Sequence, residues 1–174
     1  AAAEEEEFGG GNPWEGARIS SVGLDFAVVL ATRRQRGVYF RVAPAETDVE
    51  DALALDESGI TELDEGKVPL FYIEDMEVEV PSVERKVIPL YFRKSELVAQ
   101  WKKLNRAKGG SIPEIKVTEL FSVINEMALK GDVDEDLRRL YFVPPVDSAQ
   151  RARECDRKGK GESPFVLGER IVMM

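Results

Sequence analysis

The stretch KVIPLYFRKSELVAQWKKL, residues 86–104, decides how this chain is built. Its first half is apolar on both sides: Val87, Ile88, Leu90, Tyr91 and Phe92 point to both faces of an extended strand. A half-buried strand alternates apolar with polar residues. This one is therefore expected to be covered on both faces. Its second half becomes amphipathic. Ser95 is placed to cap a helix, Glu96 suits the positive end of the helix dipole, and Leu97, Trp101 and Leu104 recur at helical spacing. The second face is covered either by the protein's own helices or by something the protein binds.

Working outward, Val68 to Val80 reads as a second strand, bent near Asp75, and PSVER at 81–85 as the turn between the two. Upstream, residues 19–31 read as a short strand followed by a helix, and Val38 to Val42 as a strand ended by Pro44. Thr47 with Glu50 then forms a capping box for a short helix whose inner stripe is Val49, Ala52 and Leu53. Downstream, Ile115 to Val117 reads as a brief strand, and Thr118 caps a helix carrying Leu120, Ile124 and Met127 on one face. Leu140 to Val143 is a strand ended by Pro144 and Pro145, and a last helix places Ala149, Ala152 and Cys155 inward. PFVLGERIVMM, 164–174, reads as a final strand pair or an edge strand. Alternating strands and short helices indicate an α/β or α+β layered fold. Residues 1–16, rich in Glu and Gly, are expected to be a disordered tail, and 17–174 a single domain.

Composition limits the chemistry. The chain has 174 residues, 33% of them charged, and a net charge of −9, of which Glu4 to Glu7 carry four. An acidic protein repels nucleic acid and anionic lipid, so neither direct nucleic-acid binding nor more than peripheral membrane association is expected. The clusters Arg93, Lys94, Lys102, Lys103, Arg106, Lys108 and Arg151, Arg153, Arg157, Lys158, Lys160 read as solvated helix faces and loops. There is no histidine, which removes the commonest general base and most zinc sites, and one cysteine, which allows no internal disulfide. The run Asp132-Val-Asp134-Glu-Asp136 alternates like a calcium loop. Leu137 stands where that loop needs glycine, however, and Val143 where it needs a bidentate glutamate. AKGGS at 107–111 lacks phosphate-loop spacing. No catalytic residue, metal or cofactor is assigned, and an enzyme is not expected.

VGLDFAVV from Val22 echoes VTELFSVI from Val117 without gaps, and each is followed by Tyr-Phe, proline and a short helix. The echo suggests two related strand-helix-strand-helix halves, the first incomplete, packed as one domain. The order GVYFRVAPAETDVEDAL, KVPLFYIEDMEVEV, KVIPLYFRKSELVAQWKKL, IPEIKVTELFSVINEM and LYFVPP resembles the Tic-twenty-two family. These are soluble components of the chloroplast inner-envelope translocon. The positions that carry the likeness are Val68-Pro69-Leu70-Phe71, Pro89-Leu90-Tyr91-Phe92, Ser95-Glu96-Leu97, Val117, Leu120 and Val143-Pro144-Pro145, over roughly residues 19–156.

The resemblance implies a plastid protein made with a transit peptide. It implies chaperone-like holding of unfolded precursors during import, with no catalytic residues to carry over. Its partners would be precursor polypeptides. The alternative is a structural subunit of a larger plastid complex. On the two strands, Leu70 and Tyr72 share a side with Ile88, Leu90 and Phe92; Phe71, Ile73, Val87 and Tyr91 share the other. Few and short helices would leave one face incompletely covered, with an apolar peptide-binding groove at Phe71, Ile73, Val87 and Tyr91. Alternatively, helices cover both faces.

Overall fold

A computed structural model describes residues 22–33, 40–56, 63–64, 66–80, 85–106 and 111–158, with the backbone alone from 155. The tail at 1–16, the inward placement of Cys155 and the strand at 164–174 lie outside the described residues. The elements are α1 (Leu24–Thr32), α2 (Glu46–Leu53), β1 (Pro69–Ile73), β2 (Val78–Glu79), β3 (Lys86–Tyr91), α3 (Lys94–Leu104), β4 (Ile115–Glu119), α4 (Leu120–Lys130), α5 (Glu135–Arg139), β5 (Leu140–Val143) and α6 (Val146–Lys158). This is the layered mixture of helices and sheet that the alternation predicts.

β3 is central. It pairs antiparallel with β1 at Phe71↔Tyr91 and with β2 at Val78↔Val87, and parallel with β5 from Ile88↔Leu140 to Tyr91↔Val143. β4 lies on the far side of β1, in register from Pro69↔Glu119 to Ile73↔Ile115. β1 and β2 both pair antiparallel with β3, and the chain between them makes a detour that turns at Glu74 and Asp75. The detour has a physical cause. Asp75 sits in the left-handed region at φ 61°, which short polar side chains tolerate. On β3, between the paired Val87 and Tyr91, stands Pro89, which has no N–H to offer a ladder. The chain leaves the sheet between Ile73 and Val78.

The sheet is buried on both faces. Phe71, Ile73, Met76, Tyr91, Leu97 and Ala52 form one cluster, closed by Trp101 and Leu55 under α2 and α3. Val68, Leu70, Leu90, Leu120 and Val123 form the other, against Leu24 of α1 and Ile124 and Met127 of α4. Both strands therefore divide their side chains between faces as expected. At roughly 25 cal/mol per Å² of apolar surface, such burial dominates the stabilisation.

Helix starts depart from expectation. α2 begins at Glu46 after Ala45 with no side-chain cap, so Thr47 and Glu50 form no capping box. α3 begins at Lys94, which leaves Ser95 inside the first turn. α4 is capped by Glu119 rather than Thr118; the Glu119 carboxylate accepts from Phe121 N at 3.0 Å and Ser122 N at 2.7 Å. Thr118 is paired with Leu70 in the sheet and is not free to cap. The acidic run at 132–136 is the start of α5, with Asp134 accepting from the backbone of Asp136 and Leu137. The expected strand at 38–42 is not one over residues 40–42. The helices α1 and α4 occupy the echoing segments, but the two-halves description is not confirmed.

Candidate functional site

A hollow opens in the sheet surface at the turn between β1 and β2. It is a cleft of about 430 Å³ beside the bend. Tyr72, Ile88, Leu90, Val123 and Leu140 give it an apolar lining, together with Ile73 and Thr118. Its rim is charged: Glu74, Asp75 and Glu77 come from the bend, Asp136 and Arg139 from α5. α4 and α5 flank the hollow without filling it.

The rim is held by ion pairs. Lys116 Nζ donates to Glu74 at 2.7 Å. The Arg139 guanidinium contacts Glu77 and lies 3.5 Å from Asp136. Donating a hydrogen bond to Glu74 holds the Lys116 ammonium above its usual pKa, and the negative charge on Glu74 adds to it. Glu74 is 69% exposed, and solvent screens exposed pairs so that they hold weakly. An incoming charged group can therefore exchange with these partners at little cost. Apolar burial and exchangeable charge suit binding.

The groove expected at Phe71, Ile73, Val87 and Tyr91 is closed. These side chains are 0%, 2%, 2% and 6% exposed. α2 and α3 cover Phe71, Ile73 and Tyr91, tied together by Lys94 Nζ donating to Asp51 at 3.0 Å. Of the four, Ile73 also reaches the cleft. Burial pushes the Tyr91 phenol up, and the charge on Glu96 adds to that, so it stays neutral. The open hollow lies instead on the Leu70, Tyr72, Ile88 and Leu90 face. Sequence reasoning missed Glu74, Glu77, Asp136 and Arg139. The signal that pointed nearest was the bend at Asp75.

Among the described residues, no helix is long and apolar enough to cross a membrane. The sequence pattern of the Tic22-like family matches residues 12–154. The chain belongs to the Tic22-like family. Its fold is also that of a solved Tic22 from Plasmodium falciparum, at TM-score 0.53 and 21% identity, covering 72% of this chain and 58% of the other. Tic22 from Anabaena, described as a protein of protein transport, gives TM-score 0.49 and 20% identity over 67% of this chain and 53% of that one. This Tic22-like chain thus spans between half and three-fifths of the solved relatives it matches. No curated protein is a significant sequence match.

Proposed function

We propose that this chain is a non-enzymatic factor of plastid protein import that holds extended segments of precursor polypeptides in a chaperone-like way. An apolar side chain of the precursor sits in the cleft beside the Asp75 bend. Membership of the Tic22-like family supports a role in protein import. The observation that carries the binding reading is the cleft itself, with an apolar floor and an acidic rim that is open to exchange. Chloroplast transit sequences are rich in Arg and Ser and poor in acids. A basic residue beside the seated apolar one would meet Glu74, Asp75 or Asp136. Phe71, Val87 and Tyr91 enter this reading as the packed support behind the floor.

Fluorescence anisotropy with a labelled transit-type peptide tests it. Ile88→Asp puts a charge on the floor and is expected to weaken binding at least about tenfold. Lys103→Ala, on the exposed side of α3, is expected to leave it unchanged. Equal affinity of the parent and the Ile88 variant, both folded, overturns the reading.

Leu129 near the end of α4 and Val133 in the turn after it, 73% and 84% exposed, favour a second reading, a structural subunit of a plastid complex. Fixed stoichiometric neighbours on cross-linking of plastid extract, with no peptide affinity, would select it.

A further inference from the structure

Next to the cleft, sharing Glu77 and Arg139 with it, lies a second hollow of about 350 Å³. Arg85, Lys86, Arg138 and Arg139 line it against Glu77 and Glu135, so cations outnumber carboxylates four to two. In a chain of net charge −9, this is a local excess of the opposite sign. Arg139 is engaged by Glu77 and Asp136. Arg85 and Arg138 are different. Arg85 donates to the carbonyl of Arg138, and Arg138 Nη2 donates to the carbonyl of Asp132 at 2.7 Å. These bonds aim the guanidinium groups without neutralising them. Lys86 is 60% exposed and 3.9 Å from Glu77. The β2–β3 pairing and α5 together hold Arg85 and Arg138, oriented by carbonyls and with no carboxylate partner among the described residues, beside an apolar hollow.

A complementary segment exists in the chain itself. Glu4 to Glu7 are four consecutive carboxylates, followed at once by Phe8. They lie before residue 12, where the family pattern begins. We propose that the pocket of Arg85, Lys86 and Arg138 is a docking site for an acidic peptide, and that its occupant is Glu4–Glu7 of the same chain, with Phe8 entering the adjoining cleft. The order of charge and ring in the segment matches the order of basic pocket and apolar cleft on the surface. Reach is sufficient. Fourteen residue steps join Phe8 to Val22, up to about 46 Å of chain, against a radius of gyration of about 14 Å for a domain of this size. The chain re-enters on the correct face, because Leu24 packs on the cluster containing Leu90, Val123 and Leu140, which also line the cleft. In one respect the proposal rests on the binding reading above: Phe8 and a precursor would compete for one cleft. The docking itself needs no precursor.

Carbodiimide coupling of the full chain, which joins carboxylates to lysine amines, tests it without any added peptide. Mass spectrometry of the monomer is expected to find Lys86 joined to a residue among Glu4–Glu7. The yield should fall about tenfold or more at 1 M salt, where charge acts over only about 3 Å, and likewise in the Arg85→Glu/Arg138→Glu variant. The Lys86–Glu77 link reports that β2 and β3 remain paired. If that link is lost in the double variant, Arg138→Gln alone carries the comparison. The proposal is overturned if the tail glutamates couple equally to Lys102 and Lys103, if the Lys86 link ignores salt and charge reversal, or if it forms only between two chains. Because the readout involves no precursor, failure of tail docking is distinguishable from failure of peptide binding.

Discussion

Replacing Phe71 with alanine separates a side chain that holds the fold from one that holds a ligand. Phe71 is 0% exposed, faces Tyr91 across the β1–β3 ladder and packs with Ile73, Met76 and Leu97. Removing a buried phenyl group loses its transfer energy and leaves a cavity, together about 3–5 kcal/mol. In a chain of this length each kcal/mol lowers Tm by about 2–4 °C, so Phe71→Ala should melt roughly 6–20 °C below the parent. Phe71→Ser/Tyr91→Ser would remove two packed neighbours at once. Such a loss approaches the whole 5–15 kcal/mol of a typical domain, and this variant should not fold. Ile88 is only partly buried, and Ile88→Ala should cost about 1–2 kcal/mol while weakening peptide binding. Thermal and urea unfolding followed by circular dichroism, with peptide anisotropy on the same samples, gives both readouts. A Phe71→Ala protein within about 1 kcal/mol of the parent that has lost peptide binding would refute the reasoning. It would mean that α2 and α3 do not close that face.

Glu119 gives a prediction with a pH sign. Burial raises its pKa, but the N–H groups of Phe121, Ser122 and Val68 outweigh burial and hold it below the usual 4.5. A depressed folded pKa contributes stability that is complete above the unfolded value and lost as pH falls through the folded one. Glu119→Gln should therefore be less stable by about 1 kcal/mol at pH 7, and its deficit should close in urea titrations run downward from about pH 5. Asp75→Asn should be near neutral in melting experiments. Asp75→Val, β-branched at φ 61°, should cost about 1–2 kcal/mol and weaken peptide binding by distorting the cleft. At the start of α6, Glu96 accepts from Val146 N at 3.0 Å, and Arg93 pairs with Asp147 at 2.9 Å. Glu96→Ala should speed hydrogen exchange at 146–150 while leaving the melting temperature of the sheet unchanged; protection unaltered at those amides would exclude this clamp.

The two-faced pattern of Val87 to Phe92 is legible without a structure because strand geometry sends alternate side chains to opposite sides whatever surrounds them. The division of Leu70 and Tyr72 from Phe71 and Ile73 follows for the same reason. Which face stays partly open does not follow, because it depends on where helices land rather than on the strand. The short helix α2, only Glu46–Leu53, covers its side because Ala52 is small and lets its backbone approach the sheet. The longer α4 leaves room because the sheet surface beneath its end is hollowed by the bend. Capping departs from expectation for a related reason. Thr118 has the better intrinsic tendency to cap, but strand register assigned it to the β1–β4 pair and handed the role to Glu119. The candidate site thus lies beside two residues that look unfavourable where they stand, a proline in a central strand and an aspartate at positive φ. Pro89 has no N–H for a ladder bond, and Asp75 supplies the turn between β1 and β2. Tic22-like chains that lack either residue should pair β1 with β3 more continuously and carry a shallower cleft, which a solved structure of the Pro89→Val variant can decide.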